Sequence, residues 1–203
     1  MRSISVFVIG FMVLLSCTKE NESQPKIELI GHGGIGLSSL SAVYHANSEE
    51  SIRMALETDG VDAVEFDVQL SASGSLWCYH DNKLEDATDN MGCISSLSDD
   101  ELQGTRYTSP HREKLFMLEE ANWLWENQKK KIYLDLKVYN HCTDSSVSRV
   151  LYKTALSKFF DHFENPQQVE VILINSSWIQ DMINEGYATY CSIDSFEDIQ
   201  KVF

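Results

Sequence analysis

Residues 61–80 read VDAVEFDVQL followed by SASGSLWCYH. The first ten residues predict a strand, and 75–80 predict another. Asp67 and His80 are thirteen positions apart, too few for the helical crossover that joins two parallel strands. An extended return does fit. About six residues run down, the chain turns at Ser73-Gly74, and about six run back at roughly 3.3 Å each. That path brings Glu65, Asp67 and His80 to the same end of a sheet. Outward from this stretch, strands are predicted at 26–32 (KIELIGH), 131–138 (KIYLDLKV), 169–175 (VEVILIN) and 188–193. Helical patterns fill 49–57, 116–130, 146–163, 177–184 and 195–203. Strand–helix alternation of this kind argues an α/β fold with a parallel sheet and outer helices, as a barrel or a doubly wound sheet.

The chain has 203 residues, 43% of them hydrophobic and 10% aromatic, enough for one domain with a full core. With 31 acidic against 16 basic residues and a formal charge of −15, most of the surface repels a phosphate backbone. A nucleic-acid partner is therefore excluded. A phosphate-handling protein of this charge needs a local positive centre, either a metal ion or converging cationic side chains.

Residues 3–16 (SISVFVIGFMVLLS) are almost continuously apolar, follow Arg2 and stop at Cys17. Fourteen residues are too short to span a bilayer and suit the apolar region of a secretory signal. Leu14-Leu15-Ser16-Cys17 resembles the lipobox of bacterial lipoproteins, in which the Cys carries lipid. The expected organisation is a signal peptide at 1–16, a polar tether at 17–26 and a folded domain at 27–203. The protein would be exported and membrane-anchored through Cys17, on the periplasmic or cell-surface face. The other cysteines, at 78, 93, 142 and 191, show no metal-finger spacing and allow three pairings. Cys78 reads as a buried thiol, while Cys93 and Cys142 both fall in loops that could meet.

Strands buried on both faces are normally continuously apolar. Four of these strands break that rule near their C-terminal ends, with His32, with Glu65 and Asp67, with His80 and Asp81, and with Asp135 and Lys137. In parallel α/β folds that end carries the active site. Period-two geometry puts Glu65 and Asp67 on one face, and Asp135 and Lys137 likewise. Three converging carboxylates raise one another's pKa unless a cation balances them, and an all-oxygen set suits Mg²⁺ or Ca²⁺. Structural ion pairs, such as Asp135 with Lys137, are the other reading of the same residues. His45, His111, His141 and His162 read as solvated, and Trp178 as a packing residue.

The run Ile30-Gly31-His32-Gly33-Gly34, then Glu65-Phe66-Asp67-Val68-Gln69-Leu70, then His80-Asp81 with Leu84, then Leu134-Asp135-Leu136-Lys137, resembles the glycerophosphodiester phosphodiesterases. That family's pattern is His-Arg-Gly, Pro-Glu-Asn-Thr, Glu-Leu-Asp-Val, His-Asp and Glu-Ile-Lys, in this order. The resemblance implies a TIM-type (β/α)8 barrel that hydrolyses glycerophosphodiesters to glycerol 3-phosphate and an alcohol with a divalent cation. It implies His32 and His80 as the acid/base pair and Glu65, Asp67 and Asp135 as metal ligands. Lys137 becomes a phosphate contact, and Gly33 stands on the substrate side where the family has Arg. Residues 47–51 (NSEES) stand where Pro-Glu-Asn-Thr is expected, with Glu49 as the retained acid, and Asp135 is one methylene shorter than the usual Glu. Six predicted strands against eight imply a chain lacking the last two strand–helix units. Alternatives are a surface lipoprotein that binds phosphodiesters or sugars without turnover, or a phosphodiesterase of intact lipids.

Overall fold

In the computed structural model, which describes residues 27–35, 42–126, 129–173 and 176–191, the stretch quoted first is a hairpin. Strand β1 (Ile30–His32) leads to helix α1 (Glu49–Glu57), then β2 (Ala63–Leu70), β3 (Leu76–Cys78) and the single-turn α2 (Asp99–Leu102). Strand β4 (Lys131–Lys137) follows, then a small ribbon of β5 (Tyr139–Asn140) and β6 (Ser145–Ser146). Helix α3 (Arg149–Phe160), β7 (Val169–Leu173), α4 (Ser176–Asn184) and β8 (Thr189–Cys191) complete the described order. The main sheet runs β1-β2-β4-β7-β8 with every pairing parallel. Strand β3 lies off this path, antiparallel to β2, with Val68 opposite Cys78 and Leu70 opposite Leu76. All six predicted strands are therefore present. One of them is a return arm, which leaves five parallel strands among the described residues.

The three longer helices lie on one face of the sheet. Val64, Phe66 and Val68 of β2, Ile132 and Leu134 of β4, and Val171 of β7 share a core with side chains from α1, α3 and α4. Ile52 and Ala55 come from α1, Tyr152, Leu156 and Phe159 from α3, and Trp178 and Met182 from α4. A doubly wound sheet would carry helices on both faces, so this one-sided cover selects the barrel alternative. The alternate positions Glu65, Asp67 and Gln69 of β2, and Tyr133, Asp135 and Lys137 of β4, face the opposite way, toward the interior of the curve. Helix α1 starts at Ser48, whose hydroxyl accepts the N–H of Ser51 as an N-cap. It carries Glu49 and Glu50 in its first turn, where the helix dipole favours acids.

The helix predicted at 116–130 is not formed in its described part. Leu118–Glu120 and Asn122–Leu124 are separate 3₁₀ turns. The cause is competition from β3. Phe116 O accepts the N–H of Cys78 at 3.2 Å, and the Glu119 carboxylate accepts the N–H of Leu76 at 3.1 Å. This backbone is thereby held extended beside the hairpin. Leu118, Ala121 and Leu124 still reach the core, because three-residue spacing keeps them on one side. Strand β3 and the chain between it and β4 build a second core from Trp77, Tyr79, Leu84, Ile94, Leu102 and Tyr107. A loop this long with its own packing is usually functional.

Cys93 and Cys142 form a disulfide across 49 residues, which settles the pairing that the sequence left open. It ties the loop after β3 to the segment after β4, beside a hydrogen bond from Asn140 Nδ2 to Ser96 Oγ at 3.0 Å. Cys78 is a buried free thiol, as predicted. Among the described residues no helix is long and apolar enough to cross a membrane. The predicted signal, tether and Cys17, and the helix expected at 195–203, lie outside the described residues.

Candidate active site

Register assembles the site. In the β1–β2 pairing His32 stands opposite Glu65, and in β2–β4 Asp67 stands opposite Asp135. Glu65, Asp67 and Asp135 each present an oxygen, and the three oxygens all lie within 4.8 Å of one another. Glu65 and Asp67 are buried. Burial, then repulsion from Asp67, push the Glu65 carboxyl above its ordinary value, against the opposing pull of the Gly33 N–H and His32. Burial pushes Asp135 up as well, against the pull of Lys137. Lys137 is 2.8 Å from Asp67 Oδ1 and 2.8 Å from Asp135 Oδ2. Burial disfavours its charge, but the two carboxylates outweigh that and hold the ammonium above its usual range. The ion pair of Asp135 with Lys137 is thus present, and it includes Asp67. One ammonium facing three carboxylates leaves negative charge to be balanced by a further cation.

Each of the two predicted histidines is anchored through Nδ1. His32 Nδ1 is 2.9 Å from Glu65 Oε2, and His80 Nδ1 is 2.7 Å from Asp81 Oδ1. A ring nitrogen against a carboxylate carries the proton, which leaves Nε2 as the reactive nitrogen. Both rings are exposed, at 63% and 59%, and both line one cavity of about 500 Å³. Gln69 positions the His80 segment, its Nε2 donating to Tyr79 O at 3.0 Å and Asp81 O at 2.9 Å.

The turn after β1 needs its glycines. Gly33 has φ +58°, and a Cβ there would come 2.9 Å from Ala46 Cβ; at Gly34, φ +93°, it would come 2.3 Å from Ser51 Oγ. This close approach lets Gly33 N–H donate to Glu65 Oε2 at 3.0 Å, and Gly33 O accept from Asn47 N–H at 2.9 Å.

All seven predicted residues, His32, Gly33, Glu65, Asp67, His80, Asp135 and Lys137, fall in this region, through the contacts above. Two neighbouring expectations are corrected. Glu49 does not reach the site; it lies in α1, paired with Arg53 at 2.7 Å. The site residue of that segment is the buried Asn47, whose Nδ2 donates to Asp67 Oδ2 at 2.8 Å and whose Oδ1 accepts the Asp67 N–H at 2.9 Å. The pattern's Asn-Thr falls on Asn47-Ser48, three positions before the placement that kept Glu49 as the acid. His45 is not a solvated loop residue either. It lines the cavity and stacks on Tyr107 with centroids 4.1 Å apart. Gln69 carried a usable signal, since it shares the face of Glu65 and Asp67 by period two. His45 and Tyr107 meet only through the tertiary fold.

Residues 38–185 match the model of the Glycerophosphoryl diester phosphodiesterase family. Similar solved structures include a glycerophosphoryl diester phosphodiesterase from Parabacteroides distasonis, 22% identical with a TM-score of 0.61, covering 87% of this chain and 58% of that one. A glycerophosphodiester phosphodiesterase from Agrobacterium tumefaciens is 17% identical with a TM-score of 0.61, covering 81% and 65%. A phosphodiesterase from Oleispira antarctica, solved in complex with the product sn-glycerol-3-phosphate, is 19% identical with a TM-score of 0.64, covering 86% and 71%. The chain thus spans 58% to 71% of the length of these three structures. No curated protein matches the sequence.

Proposed function

Because the chain belongs to the glycerophosphoryl diester phosphodiesterase family and has its TIM-barrel type of fold, we propose that it hydrolyses glycerophosphodiesters to glycerol 3-phosphate and an alcohol. The observation that carries this reading is the convergence of three oxygen ligands beside a cavity lined by two carboxylate-anchored imidazoles. The carboxylate set fits a hard divalent cation, Ca²⁺ or Mg²⁺, because its donors are all oxygen and it carries more negative charge than Lys137 balances. When bound by Glu65, Asp67 and Asp135, such an ion supplies Lewis-acid stabilisation of charge on the phosphoryl oxygens. The protein's own groups do the rest. Asn47 fixes the Asp67 carboxylate, and Lys137 bridges Asp67 and Asp135 and contributes positive charge on the phosphate side. One of His32 and His80 accepts the proton of the attacking hydroxyl at Nε2, and the other donates a proton to the departing alcohol. A site that only bound phosphodiesters would use the carboxylates but not two imidazoles poised for proton transfer.

The test is release of choline and glycerol 3-phosphate from glycerophosphocholine by the purified chain in Ca²⁺ or Mg²⁺. Turnover supports the proposal. A folded, cation-supplied protein that releases neither product from this or other glycerophosphodiesters overturns it.

The chain is also proposed to be exported and anchored by lipid on Cys17. The Cys93–Cys142 disulfide supports an oxidising compartment. Expressed in a bacterium, the protein is expected in the membrane fraction, and Cys17→Ser is expected to move it out of that fraction or leave it unprocessed. A mature chain that starts well downstream of Cys17 and bears no acyl group would refute the anchor.

A further inference from the structure

The cavity between His32 and His80 has an unusual charge inventory for a site that takes a phosphate ester. Among the described residues that line it there is no Lys or Arg, while Asp67, Asp81 and Asp86 do line it. Lys137 is committed to Asp67 and Asp135. Gly33 has no side chain to offer, and its left-handed backbone beside Ala46 leaves no room for one. His32 and His80 each spend Nδ1 on a carboxylate. The third imidazole on the cavity, His45, differs from both. Its Nδ1 donates to the carbonyl of Ala46 at 2.7 Å, so the ring makes no hydrogen bond to a carboxylate, and Glu113 acts on it only through space. Its backbone N–H donates to Glu113 Oε1 at 2.7 Å, and its ring lies on the buried Tyr107 with planes 20° apart. The ring is therefore fixed at two points in a half-buried position, with Nε2 as the uncommitted nitrogen.

We propose that His45 is a substrate contact, donating from Nε2 as an imidazolium to an oxygen of the substrate's phosphoryl group and supplying a cationic contact in a cavity that has no Lys or Arg. The proposal rests on the phosphodiesterase reading given above. With Nδ1–H already given to the Ala46 carbonyl, only the charged ring donates from Nε2, so the anion and the proton bind together. The titratable groups around the ring are Tyr107 beneath it and Glu113 at its backbone, with His32, Asp67, Tyr79, His80, Asp81 and Asp86 along the cavity. A contact made equally to substrate and product changes binding more than the chemical step.

The decisive variant is His45→Phe, which keeps an aromatic ring over Tyr107 and removes both nitrogens. With glycerophosphocholine at mildly acidic pH, KM is expected to rise about tenfold or more, and the inhibition constant of sn-glycerol 3-phosphate to rise with it. The turnover number is expected to stay within about threefold of the wild type. Unchanged KM and inhibition constant in a folded variant overturn the proposal, as does a loss confined to the turnover number. Where Phe is not tolerated, His45→Gln serves, with the same expectation. In the full wild-type chain, the His45 ring resonances are expected to shift on titration with sn-glycerol 3-phosphate, and their failure to move while other cavity histidines respond overturns the assignment. A wild type without turnover would count against the phosphodiesterase reading, whereas the resonance titration still decides the role of His45.

Discussion

Glu65→Gln and Asp67→Asn each lower turnover by about 10³-fold or more, and exhaustive chelation abolishes it in the wild type. The expectation comes from charge balance. Glu65, Asp67 and Asp135 crowd three oxygens into 4.8 Å, in a setting where burial pushes the Glu65 and Asp135 carboxyls up. Lys137 returns one positive charge, shared between Asp67 and Asp135, and Glu65 leans on His32 and the Gly33 N–H. A divalent cation would complete the neutralisation, so it is expected to bind the folded state and to raise its melting temperature by mass action. The amide variants keep the volume of each side chain but remove one charge. Both are expected to retain the fold without cation, but Glu65→Gln is expected to melt slightly higher, because a repulsion has been relieved, and Asp67→Asn to melt lower, because Lys137 and the Asn47 amide lose a buried carboxylate partner. They are also expected to lose the rise in melting temperature on adding Ca²⁺ or Mg²⁺. That pairing separates ligand loss from unfolding. Full turnover in a chelated, dialysed preparation would overturn the cation assignment.

How this site could be read from the chain follows from which of its contacts are local. His32, Glu65 with Asp67, His80 and Asp135 with Lys137 announce themselves as polar residues in apolar strands. Parallel register then does the rest, setting His32 against Glu65 and Asp67 against Asp135. The return of β3 was also legible, since thirteen residues between Asp67 and His80 exclude a crossover. The segment from 81 to 126 was not. Its 3₁₀ turns, single-turn helix and separate core have no hydrophobic period long enough to declare them. The apolar spacing at 115–125 looked helical only because the pull of β3 on Phe116 and Glu119 is a tertiary effect. Asn47 was hidden for a related reason. It sits at φ 65° just ahead of the Ser48 cap, a backbone state that Asn tolerates, and only the folded turn brings its amide to Asp67. The disulfide joined two loops whose proximity no local pattern encodes.

His32→Ala and His80→Ala each reduce the turnover number by about 10² to 10⁴, the usual worth of a positioned acid or base. The two variants are expected to differ in their side effects, and the geometry says how. His80 is anchored by Asp81, which is not one of the three clustered carboxylates. Its removal breaks no hydrogen bond to those carboxylates and takes away only a minor through-space pull on Asp135, so cation affinity is expected to stay within about threefold. His32 shares Glu65 Oε2 with the Gly33 N–H and helps hold the Glu65 carboxyl down. Its removal takes away a positive partner from a cation ligand, so a modest change in cation affinity accompanies the loss of turnover. The acid and the base can then be told apart by the leaving group. A 4-nitrophenyl phosphodiester expels an anion that needs no proton, so the variant lacking the general acid recovers most of its rate on that substrate. The variant lacking the base does not, because the attacking hydroxyl still needs its proton removed. Should both variants recover alike, or neither fall below about a tenth of the wild-type rate on glycerophosphocholine, the division of labour between the two imidazoles would be wrong.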